Sequence, residues 1–384
     1  MNIKWPERKL SDISTMIDYR GKTPQKSTSG IPLITAKIVK NGTILPANEF
    51  IAESQYASWM TRGYPCVGDV VMTTEAPLGE VAQLRDAHVA LAQRIITIRG
   101  KKDVLDNGYL KYFLQSAEGQ GRLRARETGT TVTGIKAAEL RELMIPLPDI
   151  MQQRKISKVL LDLDEKIYNL TQENHNLEEQ AKAIYATYFP YSVDDALPDD
   201  WRKGTLGEII DLHDSKRIPL SGNERGKMEK IYPYYGAASL MDYVNDYLFD
   251  GVFLLLGEDG TVVTDNGLPV LQYVWGKFWV NNHAHILTGK AGFSVESLLL
   301  LLKQTPVKSI VTGAVQPKIS QANLKSIQIV IPPEKLLQEF NSVITPLFAL
   351  IRQNSEESKR LAQLRDTLLP KLMSGEIDVS EVEV

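Results

Sequence analysis

A chain of 384 residues, 43% apolar and 24% charged with a net charge of −3, has the composition of a globular protein long enough for two separate cores. Its longest apolar runs fall well short of a membrane span, its first residues lack the apolar stretch of a secretion signal, and its single cysteine, Cys66, has no internal disulfide partner and suits a reducing cytoplasm. The charge balance excludes a globally basic nucleic-acid binder but not a local basic face: residues 1–150 are mildly basic, while the helical segments that follow each globular stretch are acidic.

In chain order, residues 1–150 read as a first globular domain. Ile31–Thr35, Asp69–Thr73 and Arg94–Ile98 are short β-branched runs bounded by Gly, Pro and Asn, the pattern of strands. A helix is expected from Leu110 through Ala117 to Arg126, then a helical turn at Glu139–Leu143 and a strand at Met144–Leu147 that Pro148 ends. Residues 151–187 read as one long helix. A second globular domain, 188–333, opens with a polar, acidic connector at 191–200. Its expected strands are Gly251–Leu256, Gln272–Trp275, Ala284–Leu287 and Ile327–Ile331, with a helix at Val295–Lys303. Residues 334–375 read as a second long helix, and 376–384 as an acidic tail.

The chain repeats itself. Thr128 to Leu177 overlays Thr312 to Leu361 without a gap, placing Ile135 on Ile319, Leu140 on Leu324, Ile145 on Ile329 and Pro148 on Pro332. Upstream, Trp5, Leu10 and Ile13 match Trp201, Leu206 and Ile209. The two long helices carry apolar heptads. Ile156, Leu163, Leu170 and Leu177 hold one seam position of the first and Leu160, Ile167, Asn174 and Ala181 the other; in the second, Phe340, Leu347, Asn354 and Leu361 run beside Ile344, Ile351 and Ser358. The expected fold is therefore α/β of the α+β kind: two globular domains separated by two long antiparallel helices forming a coiled coil, with an internal pseudo-two-fold repeat. Each helix would be about 55–60 Å long at ~1.5 Å per residue.

The residues that carry enzyme chemistry do not assemble. No Asn/Asp-Pro-Pro-aromatic tetrapeptide is present, and Tyr232-Pro-Tyr-Tyr235 lacks its acid and second proline. Gly222-Asn-Glu-Arg-Gly-Lys227 is one residue short of a phosphate loop and lacks its hydroxyl. His283 and His285 would share one strand face, but no further Cys or His lies nearby to complete a zinc site, so no metal and no catalytic residue is expected.

Leu197-Pro-Asp-Asp-Trp-Arg-Lys-Gly-Thr-Leu-Gly-Glu-Ile209 resembles the opening of a target recognition domain in the specificity subunit of Type I restriction–modification enzymes. Thr128-Gly-Thr-Thr-Val-Thr-Gly-Ile135, followed by Ile145-Pro-Leu-Pro148 and Gln152-Gln-Arg-Lys-Ile156, is similar to that family's domain end and the start of its central helix. Thr312-Gly-Ala-Val-Gln-Pro-Lys-Ile-Ser320 with Ile331-Pro-Pro333 repeats the signature, and Arg365-Asp-Thr-Leu-Leu-Pro-Lys-Leu-Met-Ser-Gly375 is similar to the family's C-terminal helix end. The second copy departs in one place, having Leu336-Leu-Gln338 where the first has Gln-Gln-Arg. The resemblance implies a non-catalytic, cytoplasmic DNA-reading subunit of a phage-defence system. Its partners would be double-stranded DNA, two methyltransferase subunits and optionally two restriction–translocase subunits, with S-adenosylmethionine bound by the methyltransferase and no cofactor in this chain. The target would be bipartite, one half read by each domain, with a spacer set by the helices.

DNA contact is then expected from exposed loops rich in Lys, Arg, Asn, Gln and Thr, the side chains that bind phosphates and base edges. In the first domain these are Arg20, Lys22, Thr23, Gln25 and Lys26, then Lys37, Lys40 and Asn41; in the second, Lys216, Arg217, Asn223, Arg225, Lys227 and Tyr235. The loops Thr73–Gly79 and Thr128–Thr131, with Gln316 and Lys318, form a second tier. A protein-interaction scaffold with two globular ends fits the same repeat, and steep salt dependence of binding separates the two. A self-sufficient DNA-cleaving enzyme is disfavoured by the missing motifs.

Overall fold

The computed structural model describes residues 5–129, 133–313 and 315–383. They form two compact units, Met1–Asn169 with Ser358–Val384, and Leu170–Glu357.

The first unit is built on an antiparallel sheet in the order Ser14–Asp18, Ile95–Gly100, Val70–Thr74, Leu78–Gln83. Val70–Thr74 is buried along its whole length, as a central strand covered on both faces must be. One face packs under the helix Asn107–Gln115, whose Tyr109, Leu110, Tyr112, Phe113 and Leu114 join Val70, Met72, Ile96 and Ile98 in one core. The other face, through Val71, Ala82 and Ile95, meets a second small core under the three-stranded sheet Phe50–Ile51, Ile31–Ile34, Ala90–Leu91. A two-stranded ribbon, Glu7–Lys9 with Met144–Pro146, completes the unit.

The second unit repeats that plan. Ile210–Leu212, Ala284–Gly289, Phe249–Gly257 and Leu271–Val280 have the same strand order, and Arg202–Thr205 with Gln328–Ile331 repeats the ribbon. It then adds what the first lacks: Tyr232–Tyr235 joins the sheet parallel to Leu271–Val280 and pairs with Leu240–Val244.

Three differences from the sequence-based expectation have clear causes. The helix expected from Leu110 to Arg126 is two, Asn107–Gln115 and Ala117–Arg124, because Ser116 leaves the helical region at ψ 157° and caps the second by accepting from Gly119 N–H. The strand Leu78–Gln83 escapes hydropathy because Gly79 and Glu80 interrupt its apolar residues. The hairpin Tyr232–Val244 escapes for a similar reason: Leu240, Met241 and Tyr243 are exposed, so no alternation with a buried face marks it.

The long helices are single and continuous, Ile150–Tyr188 and Glu334–Met373. In the second unit they pair antiparallel. Asn174 donates to the Ile351 carbonyl (3.2 Å) and to Ser355 Oγ (3.1 Å), Asn354 donates to Glu173 (3.1 Å), and Tyr185 and Tyr188 sit against Phe340. The polar seam residues Asn174 and Asn354 thus each bond across to the other helix, while Leu177, Phe340, Ile344 and Ile351 are buried in the unit's main core. Phe348 is buried there more deeply than Leu347, the seam residue expected from the heptad.

In the first unit, Ile156 and Leu160 of one helix share a core with Leu372 and Met373 of the other. One helical turn past Leu160 lies a charged knot. Asp164 receives Lys111 Nζ (2.5 Å), Tyr112 Oη (2.7 Å) and Arg365 Nη1 (2.7 Å). Burial drives Lys111 toward losing its proton, and the Asp164 carboxylate opposes that; burial likewise opposes ionisation of Asp164, but Lys111, Arg365 and Tyr112 together hold its carboxyl below the usual range. Beyond the helix, Ile377, Val379 and Val382 of the acidic tail pack on the same core. We expect Asp164→Ala, which strands a buried ammonium, to cost about 3–5 kcal/mol. Equilibrium urea unfolding followed by far-UV circular dichroism should show the loss, and a midpoint equal to wild type would show that water satisfies Lys111.

Candidate nucleic-acid interface

In the first unit the expected contact residues fall into a fixed group and a free one. Past the strand Ser14–Asp18 the chain turns, and Arg20 folds back to grip the Asp18 carboxylate through Nε and Nη2 while Nη1 donates to the Ile135 carbonyl (3.0 Å). Arg62 braces the turn by donating to the Asp18 and Arg20 carbonyls. Arg20 is therefore committed inside the protein. Lys26 and Lys37 converge on Glu49 at 2.8 and 3.6 Å, and Lys26 holds that carboxyl below its usual range.

Lys22, Thr23, Gln25 and Lys40 are exposed. Thr23 donates to Gln93 (3.2 Å), and Lys22 reaches Thr61 (3.0 Å). Lys40 and Asn41 mark the tip of a hairpin, Val39–Lys40 with Thr43–Ile44, whose two central residues both have positive φ, Asn41 at 50° and Gly42 at 83°. That is the geometry of a tight two-residue hairpin turn, which Asn-Gly adopts most readily. It presents the Asn41 side chain outward while its backbone N–H is held by Glu80 (2.8 Å).

At the turn of Arg20 and Gly21 lies a polar cleft of about 400 Å³, lined also by Thr74, Glu75, Gln93, Arg94, Thr128 and Lys136. Its floor is a backbone bridge between Thr128 and Gly134, which also meets Glu75; Arg94 Nε pairs with Glu75 at 3.1 Å. Thr130 and Thr131, expected among the contact residues, lie outside the described residues. Gln93, Arg94 and Lys136 carry the cleft yet were not singled out by motif or composition. A signal existed: Glu75 and Asp259 stand at the same 184-residue offset as the Thr-Gly loops.

In the second unit, Lys216, Asn223 and Lys227 are exposed. Asn223 lies in a one-turn helix, Gly222–Arg225, closed by a reciprocal cap between Ser221 and Glu224. Arg225 lies over the Tyr234 ring (4.8 Å) and bonds Asp242 and the Leu220 carbonyl. Lys230 holds the Asp242 carboxyl down at about 2. Tyr235 is half-buried against Phe278. Arg217 points inward, to Glu258 (2.5 Å) and to the Ala284 carbonyl (2.8 Å).

Arg217 belongs to a buried node. His285 is fully buried, with Nδ1 2.6 Å from Asp214 and Nε2 2.8 Å from the Ile319 carbonyl. Both ring nitrogens face acceptors, which fixes the ring between Asp214 and the Ile319 carbonyl. Burial opposes ionisation of Asp214, but the His285 bond and the Ile286 N–H hold its carboxyl below the usual range. Asp214, Glu258 and His285 bring three ligand atoms within 4.8 Å of one another. Arg217, Lys318, Gln321 and the His285 ring already occupy those carboxylates, so the arrangement is an ion-paired strut. The two histidines do not converge: half-buried His283 turns to Asp259, away from the pocket that holds His285.

Comparison with known proteins agrees with this picture. A family model described as Type I restriction modification DNA specificity domain matches residues 2–179 and again 198–364. The chain is 26% identical over 429 residues to the Type I restriction enzyme MjaIX specificity subunit of Methanocaldococcus jannaschii, covering 98% of this chain and 94% of that one. It is 32% identical over 151 residues to a putative Type I restriction enzyme specificity subunit, S.HindORF215P, of Haemophilus influenzae, covering 39% of this chain and 38% of that one. In fold it is similar to the crystal structure of the Type I restriction–modification S subunit from M. genitalium, with a TM-score of 0.60 at 20% identity over 97% of this chain and 96% of the other. Among the described residues, no helix is long and apolar enough to cross a membrane.

The Asp214 strut gives a pH test. A carboxyl whose folded pKa lies below its unfolded value stabilises fully above about pH 4 and loses that contribution as pH falls through the folded value. Asp214→Asn should therefore be less stable than wild type at pH 7 by about 1–3 kcal/mol, with the gap closing below pH ~4. Urea midpoints at pH 7, 4 and 3 check this, and a gap that stays constant with pH would contradict it.

Proposed function

The chain belongs to the Type I restriction modification DNA specificity family, and from that premise we propose that it reads a bipartite double-stranded target, one half-site per globular unit. The observation that carries the proposal is the contrast between what the units share and what they add. Both keep the same four-strand order, the same ribbon and the same covering helix. One adds the segment around Ile31–Ile51 with its own small core, and the other adds the hairpin Tyr232–Val244. A common frame with unlike outer elements suits two readers of two different sequences.

Within this reading the exposed side chains Lys22, Thr23, Gln25, Lys40 and Asn41, and Lys216, Asn223 and Lys227, meet the duplex. Arg20, Arg217 and Arg225, tied to internal carboxylates, act from behind by fixing the loops that carry them. The exposed Leu240, Met241 and Tyr243 of the hairpin suit apolar contact with thymine methyl groups in the major groove. The helices Ile150–Tyr188 and Glu334–Met373 set the spacer and dock two methyltransferase subunits, which supply S-adenosylmethionine and the reaction. Restriction–translocase subunits join through that core, and the assembly works in the cytoplasm against foreign DNA. Asn174 and Asn354, each hydrogen-bonded to the opposite helix, are suited to holding the helix pair in one register.

Mapping methylated adenines in a host that expresses the chain with its methyltransferase partner tests the reading. Two half-sites at one fixed gap are expected. Adding seven residues to each helix should lengthen the gap and leave both half-sites unchanged, while replacing 232–244 should alter one half-site only. Methylation scattered without a two-part pattern would end the proposal.

A further inference from the structure

We propose that the base of the Thr-Gly loop in each unit is a phosphate seat that grips the DNA backbone without reading sequence; this rests on the DNA-recognition reading above. The two units differ in nearly every outer element, yet here they agree bond for bond. Thr128 and Gly134 exchange two backbone hydrogen bonds of 2.8 and 3.0 Å, and Thr312 and Lys318 exchange two of 2.9 and 2.8 Å. The residue after each Thr is a glycine with positive φ, 107° at Gly129 and 87° at Gly313, and a Cβ on Gly313 would lie 2.4 Å from the Gln316 carbonyl oxygen. Ile135 N–H then bonds the Thr74 carbonyl (3.0 Å), and Ile319 N–H bonds the Glu258 carbonyl (2.8 Å). The acid next in sequence is held by a basic side chain in both units, Glu75 by Arg94 and Asp259 by His283.

One further agreement shows that geometry is kept where residue type is not. The Ile135 carbonyl accepts from Arg20 and the equivalent Ile319 carbonyl from His285, although Arg20 lies in the turn after Ser14–Asp18 and His285 on the strand Ala284–Gly289. Readers of unlike half-sites have reason to diverge wherever they touch bases. They have reason to agree where the ligand is the same in both halves, and in duplex DNA that is the sugar-phosphate backbone. The loop tips follow the same logic: wholly exposed Val315 occupies the position that Thr131 holds in the first copy, so the tips differ while the bases match.

The chemistry of the seat favours phosphate over a protein surface. In the first unit, exposed Arg94 and Lys136 stand with the Thr128 hydroxyl and the Gln93 amide around an open polar cleft. Lys136 makes no ion pair among the described residues. In the second unit, Lys318 stands on the bridge itself, its side chain half exposed and paired with Glu258 at 3.2 Å.

The test is the salt dependence of binding to a scrambled-sequence duplex by the full chain, alone and with its methyltransferase partner. Lys136→Gln replaces an exposed, unpaired side chain, so folding should be unaffected, as a urea midpoint will verify. Loss of one phosphate contact should reduce the slope of log K against log salt by about 0.9, which flattens the fall in affinity between 50 and 200 mM salt about 3.5-fold. Lys318→Gln, which also removes the pair to Glu258 and so needs its own urea midpoint, should lower the slope alike, the double variant should lose about twice as much, and target and scrambled duplexes should weaken by the same factor. An unchanged slope for Lys136→Gln would overturn the proposal. So would a changed half-site, which would make the loop a base reader, or loss of methyltransferase association with the slope intact, which would make it a protein-docking point. Because the slope is read on scrambled DNA, it is informative whether or not wild type prefers a target, so a failure of the recognition reading is seen separately.

Discussion

The architecture depends on burying charge where each sheet-bearing domain meets its helices. In the first unit Lys111 lies on the covering helix of the sheet, Asp164 on one long helix and Arg365 on the other, and one carboxylate joins all three elements. In the second unit Arg352 of a long helix bonds Glu296 of the covering helix and Tyr273 of the sheet, while Lys303 reaches Glu178 on the partner helix. A buried ion is costly unless its partner is in place, so such a joint tolerates very few orientations, whereas an apolar contact alone would allow the domain to slide or rock. Stiffness inside each unit comes from these joints as much as from the apolar seam.

The joints also carry opposite signs. The covering helix of the first unit supplies a cation, Lys111, and that of the second supplies an anion, Glu296. The frame has been duplicated, but its fasteners have been re-keyed: Lys111 meets a carboxylate of the first long helix, whereas Glu296 meets a guanidinium of the second. Divergence has thus reached the inner joints as well as the outer loops, and the base of the Thr-Gly loop stands out against it.

The parts legible in the sequence were those governed by period and repeat. The heptad positions Ile156, Phe340 and Ile351 are buried, and both ribbons form where Pro148 and Pro332 end a strand. Type of element came easily, since runs such as Val70–Thr74 and Leu254–Leu256 must be covered on both faces. What escaped depends on partners distant in sequence. Arg20 has a local partner in Asp18, but nothing local shows that it also reaches the Ile135 carbonyl while Lys22, two residues later, stays exposed. Arg217 and Lys216 pose the same problem one residue apart. The composition of a basic loop marks a region, but which of its cations are free is decided by carboxylates and carbonyls that the tertiary fold brings in.

The tail that packs beside Leu372 has a consequence for biosynthesis. Ile377, Val379 and Val382 complete the hydrophobic core of the first unit, yet they follow the whole of Leu170–Glu357 in the chain. The second unit is contiguous and can close as it leaves the ribosome. The first must wait, its largest core open on one side, until the segment carrying Ile377, Val379 and Val382 emerges to shut it, so the unit begun before Leu170 closes after the one that Leu170 begins.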